Sequence, residues 1–206
     1  MNNNQPSSGQ TEQLLQTDLV LPQTKAVLQQ RLNTPVVTTP SFFSVEEFAT
    51  LQAVCKRLLP QPSDRKTEID IAGIFDANLS AGKTSKGWRY NVLPPDEVMY
   101  KQGLLSIEQS SQSLYHKAFE QLDNIEQEEL LKLVQNQTAP EKAWNDLSAR
   151  LFFTELFAAL VEIYYSHPFG KDEINDVSFA DAKGCHNIGL NEVETQDIDS
   201  LLTNKK

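Results

Sequence analysis

Apolar positions recur at helical spacing through most of the chain, and most densely between Phe152 and Gly170 (FFTELFAALVEIYYSHPFG). Leu156, Leu160, Ile163 and Tyr164 trace one stripe there, and Phe153, Phe157, Ala158 and Val161 widen it. So wide an arc predicts a helix buried on most of its circumference, around which the other helices pack. Pro168 cannot continue a helix and pushes His167 towards extended geometry, so this helix is expected to end near Ser166. It is nearly long enough to span a bilayer, but Arg150, Glu155 and Glu162 would each be costly in lipid, and no membrane insertion is expected.

The same pattern predicts the earlier helices. Ser44 and Glu47 form a capping box, with Phe43 and Phe48 at the hydrophobic-staple positions. Phe48, Leu51, Val54, Cys55 and Leu58 follow as one stripe, and Pro60 ends it. Asp70 caps a second helix with Ile71, Ile74, Phe75 and Leu79 inward and Gly82 as its stop. Pro94-Pro95-Asp96 opens a third helix that is expected to reach about Leu122, with Val98, Leu105, Leu114, Tyr115 and Phe119 on its inner face. Asp123 and Glu126 cap a fourth, carried by Leu130, Leu131, Leu133 and Val134. No strand pattern is present. The fold class is all-α: four or five helices around Phe152–Tyr165, with irregular ends.

Composition divides the chain into three. Residues 1–40 are rich in Gln, Asn, Ser and Thr, with prolines at 6, 22, 35 and 40, and read as a disordered or partner-dependent arm. Within it Thr24–Leu32 could form two helical turns given a surface to lie on. Residues 41–170 are the helical domain. Residues 171–206 are an acidic, mostly irregular tail. The net charge of -10 excludes nucleic acid as a natural partner, because a phosphate backbone selects basic surfaces. Two cysteines make no disulfide framework, and Cys55 lies on an apolar stripe as a small core residue. The N-terminus has neither a basic region nor an apolar stretch, so on this sequence a cytoplasmic chain is expected, or a periplasmic one if a leader is removed or a partner carries the signal.

Candidate chemistry is sparse. Residues 77–84 (ANLSAGKT) fit a permissive phosphate-loop pattern, but such a loop needs a strand before it and a helix after it, and here a helix precedes Gly82. His116, His167 and His186 are far apart, and none has a second ligand one helical turn away, so no metal site is expected. No nucleophile stands beside a base in any recognisable local signature. Catalytic, cofactor-binding and metal residues are therefore expected to be absent, which favours an interaction protein.

Three stretches, in order, then resemble one family. SVEEFATLQAVCKRLLP (44–60) resembles the opening helix of the gluconate 2-dehydrogenase subunit 3 family, with its ending of arginine, two apolar residues and proline as Arg57-Leu58-Leu59-Pro60. FEQLDNIEQEELL (119–131) resembles its middle element, and Phe152-Phe153 with YYSHP (164–168) its last helix. Gly184, Ile188 and Gly189 fit a later segment, where Cys185, Leu190 and Asn191 depart from the family pattern. The likeness covers residues 41–191. It implies a small, non-catalytic subunit accompanying a large flavoprotein of the glucose-methanol-choline oxidoreductase type, with FAD and substrate in that subunit and often a haem c cytochrome subunit taking the electrons. Such members often carry a twin-arginine leader. Partner contact is expected on the strip after the last helix, at His167, Phe169, Cys185, His186, Ile188 and Leu190, with Cys185 a candidate for a disulfide to the partner. The alternatives are a stand-alone helical interaction module and a nucleotide binder using the Gly82-Lys83-Thr84 loop.

Overall fold

The structure, a computed structural model, describes residues 9–63, 65, 67–83 and 92–180. Among these the chain is all-α, with helices α1 (Gln10–Leu15), α2 (Pro22–Leu32), α3 (Val45–Leu58), α4 (Ile71–Ser80), α5 (Asp96–Tyr115), α6 (Asn124–Gln135), α7 (Ala149–Ser166) and α8 (Pro168–Glu173). Short 3-10 turns occupy Phe119–Gln121 and Glu141–Ala143. The chain divides into a larger unit, Val36–Tyr164, and a smaller one made from both ends, residues 1–35 and 165–206.

In the larger unit, α3 packs on α4, α5, α6 and the 119–121 turn. Its start is fixed as the sequence demands. Ser44 accepts from the Glu47 N–H, and the Glu47 carboxylate accepts from the Ser44 N–H. Phe48, Leu51, Val54 and Cys55 are buried. The loop entering α3 is held from α4: the buried Asp76 carboxylate accepts from the N–H groups of Ser41 (2.7 Å), Phe42 (3.0 Å) and Phe43 (3.0 Å). Beside it a run of rings, Phe42–Phe43, Phe43–Phe75 and Phe75–Tyr100, has centroids 4.8, 6.1 and 4.8 Å apart.

Helix α4 ends in a Schellman motif. Gly82 takes φ +65°, the Lys83 N–H donates to the Asn78 carbonyl (2.8 Å), and the Gly82 N–H donates to that of Leu79 (3.0 Å). Helix α6 starts at the expected box, where Asp123 accepts from the Ile125 and Glu126 N–H groups while Glu126 accepts from that of Asp123.

Helix α5 corrects the sequence reading twice. It stops at Tyr115, with His116 left-handed (φ +57°), and Phe119 lies in a separate 3-10 turn. Its buried face is Met99, Tyr100, Gly103, Leu104, Ser106, Ile107, Ser110 and Ser111, whereas Val98, Leu105 and Leu114 are exposed. The reason is that half of the inner face is small. A Cβ on Gly103 would fall 2.0 Å from the Phe152 ring of α7, so the glycine lets that ring lie against the α5 backbone. Trp144 packs on Phe152 at 5.6 Å and donates its indole N–H to Ser110 Oγ (3.1 Å).

Helix α7 ends at Ser166, before Pro168 as expected. Its buried arc is narrower than its residue types suggest: Phe152, Leu156, Leu160, Ile163 and Tyr164 are buried, while Phe157 and Ala158 are exposed. Phe153 and Phe157, one turn apart, stack on each other at 6.1 Å.

In the smaller unit the helix expected at Thr24–Leu32 is present within α2, and α1 adds a second helix to the stretch read as a disordered or partner-dependent arm. Residues 10–15 and 22–32 are helical, and α1 and α2 both pack on α8. Leu14, Leu15, Leu19, Val20 and Leu28 form one apolar cluster with Val177, Phe179 and Ala180. A polar composition conceals this because the five apolar side chains are spread over two short helices and the connection between them, and their partners lie some 150 residues further along the chain. Pro168 does not end helical structure either. After a break at His167 it starts α8 from its first position, where proline costs nothing.

Candidate functional site

The motif residues of the larger unit converge at Arg57, in the last turn of α3. Its Nη2 donates to Asn124 Oδ1, its Nε to Gln127 Oε1 (3.4 Å), and its Nη1 lies 3.5 Å from Glu128 Oε1. Gln127 is buried and donates from Nε2 to the Phe119 carbonyl (3.0 Å). One guanidinium thus ties the end of the first family-like stretch to the start of the second, using a fork of donors that lysine lacks.

Following α3 lies a cleft of about 410 Å³, lined by Val36, Cys55, Leu59, Pro60, Ile69 and Ile71, with Lys56 and Glu68 also in its lining. Gln61 fixes its shape by exchanging both amide atoms with Ile69, accepting from the N–H (2.7 Å) and donating to the carbonyl (2.8 Å). Arg65 donates to the same Gln61 oxygen (2.8 Å), with its guanidinium 5.9 Å from the Tyr164 ring centroid. The Cys55 thiol at this cleft is pushed well up, first by burial and then by the nearby Asp70 charge, so it stays protonated and unreactive. Gln52 and Asp70 add to a lining in which apolar and polar side chains alternate.

In the smaller unit His167 is buried and caps α8. Its Nδ1 accepts from the Phe169 N–H (3.2 Å), so Nε2 carries the proton and donates to the Arg31 carbonyl (3.1 Å). Arg31 in turn donates to the Ser166 carbonyl at the end of α7. Phe169 packs on the imidazole at 4.9 Å and is half-buried. Asp172, also buried, accepts from the N–H of Thr11 (2.8 Å) and Gly9 (3.3 Å) and from the Thr11 hydroxyl. Of the six residues expected to touch a partner, His167 and Phe169 are therefore together at this corner. Cys185, His186, Ile188 and Leu190 lie outside the described residues.

The phosphate-loop pattern has no such geometry over its described part. Residues 77–80 are inside α4, and the amides of Ala81, Gly82 and Lys83 donate to the carbonyls of Ala77, Leu79 and Asn78. Among the described residues no group of three or more His, Cys, Asp or Glu could hold a metal ion. No described helix is long and apolar enough to cross a membrane.

The described residues thus form an all-α protein in which Arg57 joins two of the family-like stretches. Comparison with protein-family models matches Gluconate 2-dehydrogenase subunit 3 over residues 45–180. That span is about two thirds of the chain, and the chain belongs to the gluconate 2-dehydrogenase subunit 3 family, that of a small subunit of a dehydrogenase complex. The matched span ends before the Gly184–Asn191 segment. No curated protein and no solved structure matches the chain.

Proposed function

We propose that this chain is the non-catalytic small subunit of an FAD-dependent dehydrogenase of the glucose-methanol-choline type, binding and stabilising the flavoprotein that oxidises a sugar, sugar acid or alcohol. The family match over residues 45–180 carries this reading. FAD and substrate then belong to the large subunit, and a haem c subunit, where there is one, receives the electrons. Contact with the flavoprotein falls on the strip from His167 onwards. His167 holds the backbone turn there and Phe169 beside it is half-buried, with Cys185, His186, Ile188 and Leu190 further along.

A pull-down from native cells with this chain as bait tests the assignment. A yellow complex containing one large flavoprotein is expected, and electrophoresis with and without reductant then shows whether Cys185 links the two. Alone, the chain should show no flavin absorbance and reduce no dye. Unaided polyol oxidation would overturn the assignment, and a colourless bait with a different partner would make the chain a stand-alone interaction module.

A further inference from the structure

The smaller unit joins a segment inside the matched family span to one outside it. Residues 168–180 close that span, whereas residues 9–32 precede it. The apolar side chains of Val177, Phe179 and Ala180 are covered by leucines and a valine from those preceding residues.

The covering segment is weakly built. Helix α1 has six residues and α2 eleven, both below the length at which an isolated helix is stable in water. Leu28 is the one buried residue of α2, and Val27 stays about half exposed. Polar anchors therefore matter: Asp172 grips the start of α1 through Thr11, and the Arg31 carbonyl meets His167 at the end of α2. Helices laid on an apolar strip and held at two points can be exchanged for another amphipathic segment.

We propose that residues 9–32 are a releasable strap over residues 168–180, and that the flavoprotein reaches this strip by displacing the chain's own N-terminal helices. The displacement rests on the accessory-subunit reading above; the strap itself does not. Occupancy in cis keeps an apolar strip out of water until the correct partner arrives, and it sets a threshold that weak partners do not pass.

Hydrogen exchange on the full chain tests the strap. Amides of residues 10–32 and 168–180 should exchange together and faster than those of α3. Asp172→Ala should speed both segments by about tenfold, since a charged acceptor of several N–H groups is lost, and leave α3 unchanged. Thr11→Val is the milder companion, removing one hydroxyl and keeping the carboxylate. Exchange of all segments at one common rate, moved equally by either substitution, would overturn the strap. With the co-purified flavoprotein, Thr11→Val, which leaves the strip itself intact, should bind more tightly than the wild type, and exchange of residues 10–32 should rise in the complex. Weaker binding by Thr11→Val, or new protection of residues 10–32, would make the segment part of the interface and overturn displacement. A flavoprotein that binds none of the three proteins would sink the accessory-subunit reading and displacement with it, while the exchange pattern still decides the strap.

Discussion

The two units are held by different means. In Val36–Tyr164 a continuous apolar interior does most of the work, and polar bonds such as those of Asp76 and Arg57 fix where elements begin and end. In the smaller unit the apolar cluster is eight buried residues, and a carboxylate–helix contact spanning 161 positions and a histidine–carbonyl contact spanning 136 do the joining. Apolar burial is non-directional and grows with area, so a large core tolerates a lost polar bond. A small cluster made from two chain ends closes a long loop and has little area to offset that cost, so its polar anchors decide whether it stays closed.

The strongest way to break this contrast is at the core. Phe152 is fully buried between Gly103 and Trp144, and Phe152→Ala should cost about 3–5 kcal/mol of global stability, seen as a lower denaturant midpoint. Asp76→Ala should follow at about 3 kcal/mol, because three N–H groups lose their charged acceptor together. A loss of this size from the core on Asp172→Ala would erase the distinction between the units. Gly103→Ala should cost about 1–3 kcal/mol, by driving a methyl group into the Phe152 ring.

How much of this was legible follows the same division. Helix starts at Ser44, Asp70 and Asp123 depend on side chains within three residues of the cap, so local spacing contains them. The stripe of α3 was legible because large apolar residues carry it. The face of α5 was not, because Gly103, Ser106, Ser110 and Ser111 bury backbone where Val98 and Leu105 attract the eye. The smaller unit was legible only at Thr24–Leu32, for a different reason. Nothing near Thr11 announces Asp172, and a polar arm becomes helical only through a partner contributed by distant sequence. Of the candidate contact residues, His167 follows the last residue of α7, but its capping of α8 and its bond to the Arg31 carbonyl could not be read, because Arg31 is 136 positions away.

Smaller effects sharpen the comparison. Alkylation of Cys55 should proceed only at the rate of global unfolding, since its thiol is buried and held protonated. Acid should loosen the smaller unit through Asp176. Burial alone would raise its pKa, but the hydrogen bond from Lys171 and those from Ser178 outweigh it and leave the carboxyl below its usual 3.8. A depressed carboxyl contributes stability above its unfolded value and loses it as pH falls through the folded one, so the protection of amides at residues 171–180, relative to their intrinsic exchange rate at each pH, should fall below about pH 4. Lys171→Met should weaken that pH dependence, leaving the part due to Ser178.

The smallest prediction compares one turn in each unit. Helices α6 and α8 both end in Schellman motifs without glycine: Gln137 takes φ +57° with the Thr138 N–H on the Leu133 carbonyl, and Asn175 takes φ +53° with the Asp176 N–H on the Lys171 carbonyl. The left-handed conformation costs most side chains about 1–2 kcal/mol but is milder for asparagine, whose short amide bonds locally. Glycine removes that cost and gives back part of it as extra freedom in the unfolded chain. Gln137→Gly should therefore stabilise the larger unit by about 0.5 kcal/mol, less whatever the Ser148 hydroxyl contributes to Gln137 Oε1 at 3.3 Å. Asn175→Gly should change the smaller unit by a few tenths at most. A rise in the denaturant midpoint for the first, with no change in exchange at residues 168–180 for the second, is the expected pair. An equal gain from both would mean that asparagine bears the same strain at residue 175 as glutamine does at 137, and that the ends of the chain are held against more resistance than their short helices suggest.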